Sequence, residues 1–298
     1  MQPSTIGLAL ALLVTLGAGC SVPELPNWSI FPKEVPATDI DLSNKHRVQL
    51  EQTSLNPLDK LAKQPTRYVS ITEWLPNDRV AFDWSETYDR ETAASIEART
   101  EAGRATGVGE ESNVPDAVFE TISLKGSLKS DALDDGQRIL LPSEWEQNEH
   151  DLTGGPNTVI WLSKAQYDEL ADARHTHLSI GLFDAGLQTA ANAAEAVKGF
   201  IAKLQGDDGA AVSDLDVTEI VADAEWGTYS LKWQGDNVKV QTIQAENKFA
   251  SYTILANPEN PLILEVELKA WAYGTEALGV LSDDLEISGY AVTAIISP

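Results

Sequence analysis

Residues 217–298 constrain the fold most, because they read as strand after strand: "TEIVA", "GTYSLKW", "VKVQTIQ", "SYTIL", "PLILEVELKAWA" and "LEISGYAVTAII". Each run is rich in β-branched and aromatic residues, and Gly, Asn, Asp or Pro separates it from the next, as in the turn "QGDN". Short runs in such close succession pair into an antiparallel sheet or sandwich. Upstream, "RYVSITEWLPNDRVAFDW" gives two more runs around a Pro-Asn-Asp turn suited to a hairpin, and "AVFETISLKGSL" a further one.

Helical grammar is concentrated in 158–205. "TVIWL" reads as a short buried strand, after which Ser163 and Gln166 form an S-x-x-Q capping box that opens a helix to about Arg174. "HTHLSIGL" returns as a strand. A second helix is predicted from Asp184 to Gln205, where Leu187, Ala190, Ala194, Val197, Ile201 and Leu204 recur at spacings of three and four. Residues 86–104 have helix-forming composition with charge on every face, which predicts an exposed helical or mobile insertion ending in the "GVGEESN" linker at 107–113. The expected class is therefore α+β: a strand-rich antiparallel sheet or sandwich with a central helical block at about 163–205. No internal repeat is visible.

The N-terminus carries an apolar run from Ile6 to Leu16, then Gly17, Ala18 and Gly19, then Cys20, the one cysteine of the 298 residues. The run is too short for a membrane span of about 20 apolar residues and has the layout of a signal peptide. "LLVTLGAGCS" (12–21) resembles the lipobox of bacterial lipoproteins, with Gly17 at the usual leucine position and Leu16 one place further back. The resemblance covers residues 1–21. It implies removal of 1–19, acylation of Cys20 with fatty acids such as palmitate, and lipid anchoring to the cell membrane. Ser21 after the cysteine implies the outer membrane where the organism has one. Residues 20–66 hold six of the fourteen prolines and read as a tether with an r.m.s. span of about 35–40 Å, with "HRVQL" (46–50) as a candidate edge strand. Residues 67–298 then form the body.

Composition removes several function classes. With one cysteine there is no intramolecular disulfide, thiolate zinc site or redox pair, so packing must supply stability. A hydrophobic share of 43% with eight tryptophans is enough for a core. The formal charge of −25 repels nucleic acid and anionic lipid, so membrane attachment is expected through the Cys20 lipid.

Chemistry-bearing residues are sparse. In "HTHLSIG" (175–181), alternation puts His175 and His177 on one strand face, where two imidazoles could share a divalent metal, the one cofactor the sequence leaves open. His150, Asp172 and Asp184 are the nearest candidates for a third ligand. Ser179 imitates a nucleophile elbow, but no histidine follows His177, which excludes the chain order Ser, acid, His. "DLDVTEIVADAE" (214–225) places Asp214, Asp216, Thr218 and Glu225 at calcium-loop positions, with Glu219 where the turn needs glycine. No nucleotide fingerprint is present. Tryptophans at 74, 84, 145, 161, 226, 233 and 271 are either core or a sugar-stacking platform, and Trp226 and Trp233 face opposite ways on one regular strand. The expected function is a non-enzymatic envelope lipoprotein that binds or assembles a protein or glycan component. An envelope hydrolase, metal-assisted or carboxylate-based, is the alternative, and a structural role in an envelope assembly a third reading.

Overall fold

A computed structural model describes residues 32–53, 65–105, 114–180, 218–247, 250–269 and 289–298. The expected signal segment, Cys20, and the helix expected at 184–205 lie outside these residues. The strand-rich expectation holds. Among the described residues thirteen strands join one sheet, and three others form a separate sheet.

The C-terminal runs form the strands β11 (Glu219–Ala222), β12 (Gly227–Trp233), β13 (Asp236–Glu246), β14 (Ala250–Leu255), β15 (Ile263–Leu268) and β16 (Gly289–Ile296). From β12 to β16 each pairs with the next, antiparallel, and β16 returns to β12 through a parallel pair, Lys232 with Ala294 and Trp233 with Ile295. Five strands thus close into a small mixed barrel, where the sequence predicted only antiparallel pairing. An irregularity between Val292 and Ala294 marks the point where β16 stops pairing with β15 and takes β12 on the same edge. The predicted "QGDN" turn is present. Gln234 and Gly235 both adopt positive φ (52° and 92°), the geometry a two-residue hairpin loop demands.

The outer strands continue from β16 through β2 (Arg47–Thr53), β3 (Thr66–Leu75), β4 (Arg79–Glu91), β5 (Phe119–Ser130) and β7 (Asn148–Asp151). Two expectations are corrected here. First, residues 32–53 of the expected tether belong to the body. β1 (Lys33–Glu34) lies parallel to β13, and β2 is an interior strand between β16 and β3. The alternation His46, Val48, Leu50 supplies the reason, since those side chains are buried together with Ile40 and Leu42. The amides of Asn257 and Asn260 hold this segment by donating to the carbonyls of Ala37 and Ile40. Second, the helix expected from 86 begins only at α1 (Ala93–Ala105). Residues 86–91 instead extend β4, paired with β5 as far as Glu91 opposite Phe119. From Thr87 onward their polar side chains fit a strand because this end of the hairpin faces solvent, whereas Glu86 is buried. As predicted from its charges, α1 is largely exposed, with Ser95 its one buried residue among those whose side chains are described.

The core lies on the other face of β2–β5, under residues 131–180. Val69, Ile71, Val80, Phe82 and Trp84 point into it by strand alternation. A register shift between Ile71 and Glu73 turns Trp74 inward as well. The run 158–162 is buried as expected, but only Thr158 is in a strand, β8 (Asn157–Thr158). β8, β6 (Arg138–Ile139) and β10 (Ser179–Ile180) make the small parallel sheet. Beyond β8 the chain runs through the core, the Ile160 carbonyl accepting from the Ile263 amide and the Leu162 amide donating to Pro261. The capping box is as predicted: Ser163 Oγ accepts from the Gln166 amide (3.3 Å) and Gln166 Oε1 from the Ser163 amide (3.1 Å), opening α2 (Lys164–Ala173).

Candidate functional site

Arg174, in the left-handed region at φ 65°, ends α2 and sends the chain directly into β9 (His175–His177). β9 pairs antiparallel with β11, placing Glu219 opposite His177, Ile220 opposite Thr176 and Val221 opposite His175. Thr176 and Ile220 are buried. Two hydrogen bonds lock β9 to α2, from Thr176 Oγ1 to Glu169 (2.6 Å) and from the side-chain Nε2 of Gln166 to the His177 carbonyl (2.7 Å).

That inward pair leaves His175 and His177 side by side on the solvent face, the shared face that alternation predicted. Their neighbour across the strands is Glu219, whose Oε1 lies 3.6 Å from His175 Nδ1. The sequence did not pair Glu219 with the histidines, because 42 positions separate it from His177 and only the β9–β11 register brings them together.

The other candidates disperse. His150 is on β7, at the opposite end of the strand order from β9. Asp172 is exposed near the end of α2, and Asp184 lies outside the described residues. Among the described residues no three His, Cys, Asp or Glu side chains are gathered as metal ligands. Ser179 sits on β10 in the small parallel sheet. Of the calcium-loop positions, Asp214 and Asp216 lie outside the described residues, while Glu219 is in a regular strand and not in a loop.

Four of the tryptophans are core. Trp74, Trp84, Trp145 and Trp161 pack with Phe82 in one aromatic group at centroid separations of 5.1–6.4 Å, so they form no sugar-stacking platform. Trp226 is outward, at 48% exposure, and Trp233 is half-buried and stacks on His46 (5.7 Å). Trp271 lies outside the described residues.

A second polar group lies on the barrel strands. Cross-strand pairing aligns Gln244, Thr253, Glu265, Ala291 and Glu51 across five strands. Thr253 Oγ1 donates to Gln244 (3.0 Å) and stands 3.5 Å from the Glu265 carboxylate. Tyr229 of β12 reaches over, donating to the Val292 carbonyl (3.0 Å). Gly227 belongs to this arrangement, because a Cβ there would come within 2.9 Å of Gln244 Cγ. Burial, with Glu267 adding repulsion, raises the Glu265 carboxyl above its ordinary value. Burial likewise pushes the Tyr229 hydroxyl up, with Glu265 and Glu51 adding to it. The one sequence signal for this group was polar residues at alternate positions inside apolar strands, as in "LEVE".

A carboxyl whose folded-state pKa is raised weakens the fold as pH climbs past its unfolded value, because the folded form then holds the proton longer. Glu265→Gln is therefore expected to raise the thermal unfolding midpoint at pH 7. It should leave the midpoint unchanged at about pH 3.5, where the carboxyl is protonated in both states.

Among the described residues no helix is long and apolar enough to cross a membrane. No family model matches the chain, and searches of curated proteins and of solved structures gave no match.

Proposed function

We propose that the chain is an exported, lipid-anchored protein of the bacterial envelope whose strand-rich body serves as a non-enzymatic binding or assembly module. The carrying observation is Cys20, a lone cysteine set directly after an apolar run and three small residues. Among the described residues the first body strand starts at Lys33, thirteen positions after Cys20. A protein or glycan component of the envelope is the partner class, and the exposed surface around Trp226 and Val221 offers apolar contact. Cys20→Ala is expected to abolish incorporation of an alkyne-labelled palmitate and to release the protein from the membrane fraction. Retention of the label in that variant would sink the anchoring.

A metal-assisted hydrolase is the second reading, favoured by one observation, the common face of His175, His177 and Glu219. Here the expected result for His175→Ala with His177→Ala is loss of bound zinc, read by metal analysis of the purified protein, along with loss of any hydrolytic activity. Native protein that retains no zinc after equilibration with it excludes this reading.

A further inference from the structure

The chain reaches the body at one end of the barrel. At β1, Lys33 pairs with Val238 near the start of β13, and the same end holds the close of β12, the close of β16 and the start of β2. Eleven residues, 21–31, stand between Cys20 and Pro32, a reach of no more than about 40 Å even when fully extended. The covalent link to Cys20 therefore enters the body at this end.

Charge distinguishes that end as well. The segments 32–47, 232–239 and 294–298 carry five of the 21 basic residues, Lys33, Lys45, Arg47, Lys232 and Lys239, and four of the 46 acidic ones, Glu34, Asp39, Asp41 and Asp236, a basic excess in a chain where acids outnumber bases about two to one. Pairing makes these segments contiguous: Lys33 beside Val238, Lys232 opposite Asn237 and beside Ala294, Arg47 opposite Ile296. Stacking of His46 on Trp233 ties the start of β2 to the hairpin. Lys33, Lys45, Arg47 and Lys232 are exposed, and Ile296 is 38% exposed among them. By contrast, the row through Gln244, Thr253 and Glu265 lies about 20 Å further along the strands and is acidic or neutral. The net charge of −25 does not cancel the patch at the bilayer, since charges beyond about 8 Å are largely screened at physiological salt.

We infer that this end of the barrel is a membrane-facing surface, with Lys33, Lys45, Arg47, Lys232 and Lys239 meeting the phosphates of anionic lipid headgroups. The inference rests on the proposed acylation of Cys20. The lipid supplies attachment and the cations supply orientation, which turns the Glu265 row and the pair His175 and His177 away from the bilayer.

The test uses the full acylated chain in vesicles of phosphatidylethanolamine and phosphatidylglycerol that carry a headgroup quencher. With Cys20 acylated, a fluorophore can be attached to a thiol introduced by Asn237→Cys or by Glu267→Cys. Strong quenching at 237 and little at 267 is expected. Charge reversal at Lys33, Lys232 and Lys239 together should abolish the difference while the protein still floats with the vesicles. Equal quenching at both sites, or quenching indifferent to charge reversal, in a chain that floats and carries the acyl mass would overturn the orientation and leave the anchor standing. A chain lacking the acyl mass that fails to float would overturn both.

Discussion

Arg67→Ala is expected to destabilise the protein by about 3–5 kcal/mol, the usual result of removing one partner from a buried ion pair. Arg67 and Glu86 face each other across β3 and β4 and are 5% and 4% exposed, with Arg67 Nε 2.7 Å from Glu86 Oε2. The guanidinium also donates to the Pro142 carbonyl, and lies 4.6 Å from the ring centroid of Trp84 and 5.2 Å from that of Trp145. Burial pulls the guanidinium below its ordinary pKa, and the Glu86 carboxylate counters it. Without Arg67 the carboxylate is left among tryptophans with no cation, a state water cannot relieve. Glu86→Ala should cost a similar amount. Joint replacement by Met and Leu should cost much less than the two single changes added together, because no charge is then stranded. Urea unfolding of the four proteins measures this, and additive losses would show that the pair is not coupled.

The second large effect is expected at Gly289, the first residue of β16. A Cβ there would lie 2.0 Å from the Val266 carbonyl oxygen and 2.6 Å from Thr53 Oγ1. Backbone cannot yield as a flexible side chain can, so Gly289→Ala must push β16 away from β15 and open the barrel at the seam. A loss on the order of 3 kcal/mol is expected, at the upper end for overpacking. Gly155→Ala is the control, since its nearest neighbour would be 3.4 Å away and no strained φ is involved. Equal unfolding midpoints for the two variants would contradict the close approach.

Local features were legible where a signal spans few residues. The capping box at Ser163 and Gln166, the "LPNDR" turn with Asn77 at positive φ, the "QGDN" hairpin, and the common face of His175 and His177 each depend on neighbours in sequence. Misreadings arose where composition stood in for contact. Prolines made 32–53 look like tether, although His46, Val48 and Leu50 already alternated as a buried strand does. Charges made 86–91 look helical, although backbone pairing with β5 decides its form.

The sequence by itself determined that the chain is strand-rich, must be stabilised without disulfides, and carries its lone thiol beside an apolar N-terminal run. Tertiary structure decided which strands meet. That the barrel closes by a parallel pair between β12 and β16, that Glu219 joins the two histidines, and that Glu86 answers Arg67 are all matters of register between distant segments. Strand alternation fixes which face a side chain takes, whereas its neighbour across the sheet is set only when two strands pair, and periodicity along one run carries no record of that.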